Sequence, residues 1–554
     1  MLDLSRISKK SSSDVSLGTT GQRLCFLGIL GFFLGLIGGT LAFALVRIVA
    51  FISNLALLHH IGYNLPDLSH YHPNWTLIPI ALLGAGSVII MARATPIIKG
   101  HGIPESIEVI QRHKSRIQAK TAITKPLSSA IAMGTGGPFG AEGPIIVTGA
   151  AVGSLFGQGL PVSPTERRIL LSAGAAAGMA GVFGTPLAAV VLAFELLLFE
   201  RSLRSLAPLM IACGVATEIH NLLISDRPLF ALRHQPVLPT SQLPFFLLVG
   251  IVGGVLAILI NKGLFFFEKC FAKTPMPTFS HPLIGAIGFS AIGLVVPGSL
   301  SVGYWAITDA VNNRFLAVTA LILGLAKLLS WQIALASDTS GGTLAPILLI
   351  GALTGEVFGI ALSRLFPSLH IFPGYFAIVS MGVVLGTSTR ALFTGAIFAV
   401  EVTGTYQLLP EIFTAMVIGE LITQRFLKER LMTNKLTRRN LTVEFDTKTD
   451  ILRTTLAREA MRPIAGNEIA SRCPTVNENE PLYRVVPLLK KTDVTVRDQF
   501  SNEIGVITAQ SIVGILDSQY NDEIIEDPTL DIETIKLFFR RHRSNKKPTG
   551  ENYE

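Results

Sequence analysis

Three short glycine-rich turns, each ending in proline, are the part of this sequence best suited to chemistry. Their sequences are Gly-His-Gly-Ile-Pro, Gly-Ala-Glu-Gly-Pro and Gly-Thr-Leu-Ala-Pro, at residues 100–104, 140–144 and 342–346. We call them turns 1, 2 and 3. Proline just inside a helix start loses no hydrogen bond, so each turn predicts a helix N-terminus. Such ends present unpaired N–H groups and a positive dipole end, so several that converge would bind an anion.

The turns interrupt a chain that is too apolar for a soluble protein. Of its 554 residues, 49% are hydrophobic and 15% are charged, whereas soluble domains have about 25% charged residues. About 20 apolar residues span a bilayer. The stretches that approach this length are residues 26–46, 77–92, 245–260, 282–296, 315–329, 347–363 and 411–426. The sequence therefore predicts a multi-pass, all-α membrane protein surrounded by lipid.

Several apolar runs are too short or too broken to be plain spanning helices. Gly and Pro interrupt residues 133–149, 178–186 and 340–346. Irregular backbone at membrane depth is tolerated only where it is buried in protein or lines a polar cavity. Turn 1 and turn 3 fall at roughly corresponding places in the two halves, which is typical of inverted-repeat transporters. We expect these breaks to mark the transport pathway.

Composition divides the chain into five parts. We predict a polar leader at residues 1–20, a membrane domain at 21–430, a basic linker at 431–460, a small α/β domain at 461–530 and a basic, disordered tail at 531–554. Basic residues flank the first and last apolar segments, which places both termini in the cytoplasm. The first apolar stretch has no cleavage site for signal removal, so we expect it to be retained in the plasma membrane, or in the inner membrane of a bacterium.

Other classes of function lack support in the sequence. The formal net charge of +8 arises from loop and junction residues that suit lipid headgroups, with no patch for nucleic acid. The four cysteines are scattered and show no metal-ligand spacing: Cys25, Cys213, Cys270 and Cys473. The sequence has no HExxH motif of a metalloprotease. We therefore expect neither an enzyme nor a bound cofactor or metal.

Five motifs together resemble the CLC family of chloride channels and proton/chloride antiporters. They are turns 1, 2 and 3, the sequence GTPLA at residues 184–188 with Glu195 after it, and EVTGTYQ at residues 401–407. The resemblance covers residues 21 to 440. It implies the CLC fold of two inverted repeats of tilted and partly penetrating helices, and a homodimer with one pore in each subunit. It also implies transport of chloride or a similar small anion.

The resemblance gives Glu142 of turn 2 the role of the gate. Its carboxylate would compete with the anion for the outer site and would also carry a proton; the alternative is a carboxylate that caps its own helix. A carboxylate beside helix N-termini in an apolar region is costly unless it has a function. The resemblance also assigns anion contacts, mostly through backbone amides, to His101, Gly102, Ile103, Gly140, Ala141, Gly143, Thr343, Leu344, Ala345 and Met432.

Three of these positions depart from the family pattern. His101 stands where relatives usually have Ser or Pro, and its imidazole N–H either donates to the anion or bonds a neighbouring carbonyl. Leu344 replaces the usual Phe, which either widens the inner pathway or repacks. Met432 takes the place of a Tyr and cannot donate a hydrogen bond, so the inner end of the pathway would depend on backbone amides.

A fourth departure concerns protons. Many exchangers of this family have a second glutamate after the one that matches Glu195, as the internal proton acceptor, and Leu196 takes that place here. Glu195 would either join the proton pathway or bond helix ends, and we favour the structural role. These features favour channel-like or weakly coupled anion conduction, with a proton-coupled chloride exchanger as the alternative.

The tail resembles a CBS domain through CPTV at residues 473–476 and IGVIT at residues 504–508. Nucleotide-binding examples often carry Asp three residues after that threonine, where this chain has Ser511. Only one copy is visible, although such domains usually work in pairs. Pairing across the dimer remains open, and we do not expect the tail to bind a nucleotide.

Overall fold

The computed structural model describes residues 20–112, 115–198, 203–233, 242–427, 430–432, 456–463, 473–480, 482–486, 488–490, 493–498 and 503–512. The chain divides into two compact units, Met1–Phe445 and Asp446–Glu554. The division falls inside the predicted linker at residues 431–460. Nearly all of the predicted leader, most of that linker and the whole predicted tail at residues 531–554 lie outside the described residues.

The described part of the first unit is built from sixteen α-helices. They are α1 (Thr20–Leu57), α2 (Leu77–Ala94), α3 (Ile103–Arg112), α4 (Thr121–Gly134), α5 (Glu142–Gly159), α6 (Pro164–Phe183), α7 (Pro186–Leu196), α8 (Leu203–Leu223), α9 (Leu243–Lys273), α10 (His281–Val295), α11 (Tyr304–Val311), α12 (Ala317–Ala336), α13 (Leu344–Leu365), α14 (Pro373–Thr389), α15 (Leu392–Thr403) and α16 (Leu409–Phe426). All seven apolar stretches predicted from the sequence lie largely or wholly within these helices.

The sixteen helices form two halves of eight with the same neighbours. Helix α1 packs against α4, α6 and α8, and α9 packs against α12, α14 and α16 in the same way. The pair α5 and α6 has its counterpart in α13 and α14, and short 3-10 turns precede both α3 and α11, at Pro96–Ile98 and Pro297–Ser299. This repetition confirms the predicted all-α fold of two repeats.

The contact between α7 and α15 shows that the two halves are inverted. Glu195, near the end of α7, accepts hydrogen bonds from the N–H groups of Phe393 and Thr394 at the start of α15. Near the end of α15, Glu401 accepts hydrogen bonds from N–H groups at the start of α7. Each helix therefore ends where the other begins, as a two-fold axis between the repeats requires.

Seven of the described helices are long and apolar enough to cross a membrane. Six of these spans match stretches predicted from the sequence. The seventh is Arg204–Leu223, and it replaces the predicted span at residues 411–426. The segment at residues 411–426 is helical, but it has too many charged residues to count as an apolar span: Glu411, Glu420 and Arg425. Two shorter apolar helices are Pro186–Leu196 and Leu392–Thr403. The first begins where the predicted break at residues 178–186 ends, and the second lies at the corresponding place in the second half.

The second unit contains a small sheet, as the predicted α/β tail requires. Its strands are β1 (Arg462–Pro463), β2 (Thr475–Asn477), β3 (Val494–Arg497) and β4 (Glu503–Ile507), in the order β1-β4-β3-β2. β3 pairs antiparallel with β4 and parallel with β2. Two short helices, α17 (Ala457–Ala460) and α18 (Leu482–Val485), complete its apolar core.

Candidate functional site

The three glycine turns, far apart in the chain, lie against one another in the first unit. Turn 2 and turn 3 join through two backbone hydrogen bonds, in which Gly140 N–H donates to Gly342 O at 3.2 Å and Gly342 N–H donates to Gly140 O at 2.9 Å. The backbone of Gly100 in turn 1 forms a parallel bridge with Ser340, just before turn 3. The starts of α3, α5 and α13 therefore meet inside the protein.

The close approach of these turns depends on glycine. Gly102 has φ +97°, a backbone conformation that residues with a side chain rarely adopt. A Cβ there would lie 2.6 Å from the carbonyl oxygen of Gly143. A Cβ at Gly342 would lie 2.8 Å from Oε2 of Glu142. Larger residues would push the three helix starts apart, which explains why glycine recurs in each turn.

Glu142 is the first residue of α5, and its side chain lies where the turns meet. It is fully buried, and Tyr304 O–H donates a hydrogen bond to its Oε1 at 3.0 Å. The backbone N–H of Ala345 in α13 and the ammonium group of Lys327 also act on the carboxylate. The Glu142 carboxylate thus lies beside the starts of α5 and α13, whose unpaired N–H groups and dipoles favour a negative charge.

Two side-chain oxygen atoms at these turns, Oε2 of Glu142 and Oγ1 of Thr343, have no hydrogen-bond partner among the described residues. Thr343 is buried and precedes α13, but its hydroxyl makes no capping hydrogen bond. Buried polar atoms normally have partners. A hydroxyl donor beside a helix N-terminus suits an anion, which extends the backbone contacts predicted for Thr343, Leu344 and Ala345.

Turn 1 differs from the expectation at one predicted contact. Gly102 N–H donates to Oε2 of Glu105 at 2.7 Å, so this amide is already bonded within the protein. Glu105 is the third residue of α3 and reaches back to the residue before the helix, as one half of a capping box does. The spacing of Gly102 and Glu105 is the sequence signal for this contact. His101 and Ile103 are both buried beside it.

A buried lysine that the sequence analysis did not single out connects turn 1 to turn 3. Lys125 of α4 is fully buried and donates to Ile98 O at 2.7 Å, to Gly100 O at 2.8 Å and to Ser340 Oγ at 3.2 Å. Ser340 Oγ also bonds the hydroxyls of Ser128 and Ser129. A lysine in an apolar helix was the available signal, since buried charges in membranes usually have a task.

The second repeat contains a matching lysine. Lys327 of α12 is also fully buried and donates to Ser299 O at 3.1 Å and to Ser301 O at 2.7 Å. These carbonyls belong to the short turn before α11, just as Ile98 and Gly100 belong to the short turn before α3. Two buried lysines therefore hold corresponding turns in the two repeats.

Glu195, which was predicted together with Glu142 for the proton pathway, is bonded to the start of α15. The Glu195 carboxylate accepts hydrogen bonds from Phe393 N–H at 3.0 Å, Thr394 N–H at 2.8 Å and Thr394 O–H at 2.6 Å. This arrangement closes the N-terminus of α15 and agrees with the favoured structural role. Leu196 is buried and apolar, so it supplies no proton acceptor.

The C-terminal end of the described part of the membrane unit contains a buried ion pair. Arg430 Nη1 donates to Glu420 Oε2 at 2.7 Å, and its Nη2 donates to Glu420 Oε1 at 2.8 Å. Arg430 also donates to Thr387 O. Met432, two residues later, is fully buried in the apolar core. The pair fixes the chain just before Met432, whose part in anion binding stays a prediction.

In the second unit, Ser511 bonds to Thr508 of the IGVIT motif. Its N–H donates to Thr508 Oγ1 at 3.1 Å, and the two hydroxyls lie 3.1 Å apart. The resemblance to a CBS domain rests on the sequence motifs.

Fold and site together define a class of protein. Inverted repeats of membrane helices bring three helix starts and a buried carboxylate to one point, an arrangement suited to an anion inside a membrane. The family model described as voltage gated chloride channel matches residues 83–424, which is more than half of the chain. The protein belongs to this family, the CLC family.

Curated relatives agree with this assignment. The H(+)/Cl(-) exchange transporter ClcA of Vibrio campbellii is 30% identical over 380 residues, covering 67% of this chain and 81% of the relative. The transporter of the same name from Cronobacter sakazakii is 29% identical over 356 residues, covering 63% of this chain and 76% of the relative.

Solved structures agree in fold. A slow cyanobacterial Cl-/H+ antiporter has a TM-score of 0.65 at 24% identity, covering 76% of this chain and 98% of that one. A CLC-type fluoride/proton antiporter has a TM-score of 0.61 at 20% identity, covering 74% of this chain and 98% of that one. At these identities the likeness concerns the fold alone.

Proposed function

We propose that this protein exchanges protons for chloride, or for a similar small anion, through a site gated by Glu142. One observation carries the proposal: the Glu142 carboxylate lies where the starts of α5 and α13 meet, with backbone of turn 3 and Tyr304 around it. A negative side chain and a free anion cannot both occupy this place. Protonation neutralises the side chain, so binding of a proton and binding of an anion become linked.

The names of the relatives favour exchange over the channel-like conduction that we favoured from the sequence. The ClcA transporters are named as proton/chloride exchangers. Because they align with two thirds of this chain, the same activity is the best-supported one here. We further propose a homodimer with one pathway in each subunit, placed in the plasma membrane or a bacterial inner membrane, with both termini in the cytoplasm.

Weakly coupled conduction is the second candidate, and a specific observation favours it. Leu196 offers no carboxylate, and Glu195 is engaged by the start of α15. A proton that leaves Glu142 towards the cytoplasm then needs water or other polar groups, because a bare proton does not cross hydrocarbon. The two candidates differ in proton movement and agree on anion transport.

One reconstitution experiment tests both candidates. The purified full-length chain is placed in liposomes with a chloride gradient, and chloride efflux and external pH are recorded together. Uphill proton movement in a fixed ratio to chloride supports exchange. Chloride efflux without proton movement supports the second candidate. Efflux no faster than from empty liposomes, repeated with nitrate and fluoride, rejects anion transport altogether.

A further inference from the structure

Tyr304 makes the only side-chain hydrogen bond to Glu142 seen among the described residues. Tyr304 is the first residue of α11 and follows Gly303, which has φ +80°. Its O–H donates to Glu142 Oε1 at 3.0 Å. The bond joins the second repeat to the first. Nothing in the glycine motifs indicates this contact, because Tyr304 lies outside all of them.

The Tyr304 ring is held in place on two sides. Its centroid lies 5.5 Å from that of Phe230 in an edge-to-face arrangement, and 6.0 Å from that of Phe183 at the end of α6. Phe230 is itself fixed, since its N–H donates to Val402 O at 2.9 Å. Aromatic pairs of this kind stabilise a defined ring position. The hydroxyl is therefore aimed at Glu142 before any ligand binds.

The backbone before Tyr304 is fixed by a charge. Lys327 Nζ donates to Ser299 O and Ser301 O, which anchors the turn that leads into α11. Helix α12 therefore fixes the backbone that precedes Tyr304, and α6 contacts its ring. A rigid donor of this kind is better suited to hold a carboxylate than a flexible side chain would be.

The charged and titratable groups around Glu142 come from several elements. Tyr304 faces it from α11 and Lys327 acts on it from α12. His101 belongs to turn 1, and Lys125 of α4 bonds the Gly100 carbonyl of the same turn. A hydroxyl that donates to a carboxylate favours the charged form over the neutral one. Tyr304 therefore stabilises Glu142 in its charged, site-filling state.

We propose that Tyr304 is a positioning residue that holds the Glu142 carboxylate in the outer anion site, so that release of the gate requires this hydrogen bond to break. The inference rests on the proposed function, in which Glu142 is the gate. Binding of an anion or a proton must break the hydrogen bond between Tyr304 and Glu142 before the site opens. Its strength then sets how readily the gate opens at a given pH and anion concentration.

The test is the variant Tyr304→Phe, which keeps the ring and its aromatic contacts. A hydrogen bond to a charged group stabilises that charged form, and about 1.4 kcal/mol corresponds to a factor of ten. We expect chloride to bind the detergent-solubilised variant about tenfold more tightly, as measured by calorimetry. We also expect the pH of half-maximal chloride flux to rise by about one unit. The control is Tyr375→Phe, which removes the hydroxyl of another buried tyrosine. That hydroxyl interacts with Gln407.

A double variant separates this inference from the proposed function. In the background of Glu142→Ala, Tyr304→Phe should change neither chloride binding nor flux, because the group it holds is gone. The inference is overturned if Tyr304→Phe matches the unmodified protein, or if its effect persists without Glu142. If the unmodified protein binds and moves no anion, the proposed function itself fails. Elution as a single species and an unchanged unfolding temperature show that the variant is folded.

Discussion

Glu195 and Glu401 each close the N-terminus of the helix that carries the other. Each lies nine residues after the first residue of its own helix, α7 or α15. Each carboxylate accepts backbone N–H groups of the opposite helix at 2.8 and 3.0 Å. The pair is therefore a reciprocal contact across the two-fold axis between the repeats. It makes both carboxylates part of the scaffold that positions the glycine turns.

Removal of either carboxylate should destabilise the membrane unit. We expect Glu195→Ala and Glu401→Ala each to lose about 1–3 kcal/mol, because the N–H groups of a helix start are left without acceptors. The measurement is the thermal unfolding of the protein in detergent. The control is Glu218→Ala, since Glu218 is an exposed carboxylate on α8. Unchanged unfolding temperatures for both variants would contradict the structural role, and Glu195 would then be a candidate proton carrier.

Neutralisation of Glu142 should remove the pH dependence of transport. Protonation removes the negative charge that blocks the site, so flux through the unmodified protein should rise as pH falls. Glu142→Gln resembles the protonated side chain at every pH. We expect its chloride flux to be high and independent of pH, with no uphill proton movement, when measured in liposomes.

The matched control for Glu142 is Glu356→Gln. Glu356 is another fully buried carboxylate, but it accepts the N–H of Phe315 and lies in the middle of α13, away from the turns. Its neutralisation should leave the pH dependence in place. Equal pH profiles for the unmodified protein and Glu142→Gln would reject Glu142 as the gate.

His101 should influence which anion is preferred. Its place in turn 1 puts an imidazole beside the starts of α3 and α5, where an N–H donor could bond the anion. A single hydrogen bond contributes about 0.5–1.5 kcal/mol. We therefore expect His101→Ser to change the flux ratio of chloride to nitrate or fluoride by a factor of about two to ten. The control is His281→Ser, a buried histidine of α10 beside Phe271. Identical ratios would support a histidine that bonds only neighbouring protein groups.

A carboxylate at residue 196 should improve proton coupling. Leu196 lies at the end of α7, where the family resemblance implies an internal proton acceptor, so Leu196→Glu adds a group that can receive a proton released by Glu142. Under the second candidate, weakly coupled conduction, we expect more protons to move per chloride ion than in the unmodified protein. Tight exchange is then still not reached, because Met432 leaves its end of the pathway without a hydroxyl. Leu197→Glu is the control, since Leu197 is equally buried but points about 100° away around the helix axis. Equal proton movement in Leu196→Glu and Leu197→Glu would show that protons leave by another route.

Local features of the sequence specify the class of structure and locate the turns of the site. Low charge and repeated apolar stretches of nearly spanning length specify membrane helices, because an α-helix satisfies its backbone groups within one segment in hydrocarbon. Glycine and proline mark the helix starts because they act on the local backbone conformation. These are local effects, and the turns at residues 100–104, 140–144 and 342–346 could therefore be located without a structure.

The groups that surround Glu142 come together through the packing of the two repeats. Tyr304 lies 162 residues away along the chain, and Lys327, which also acts on the carboxylate, belongs to α12 of the second repeat. Such contacts depend on how the repeats pack, which no local pattern encodes.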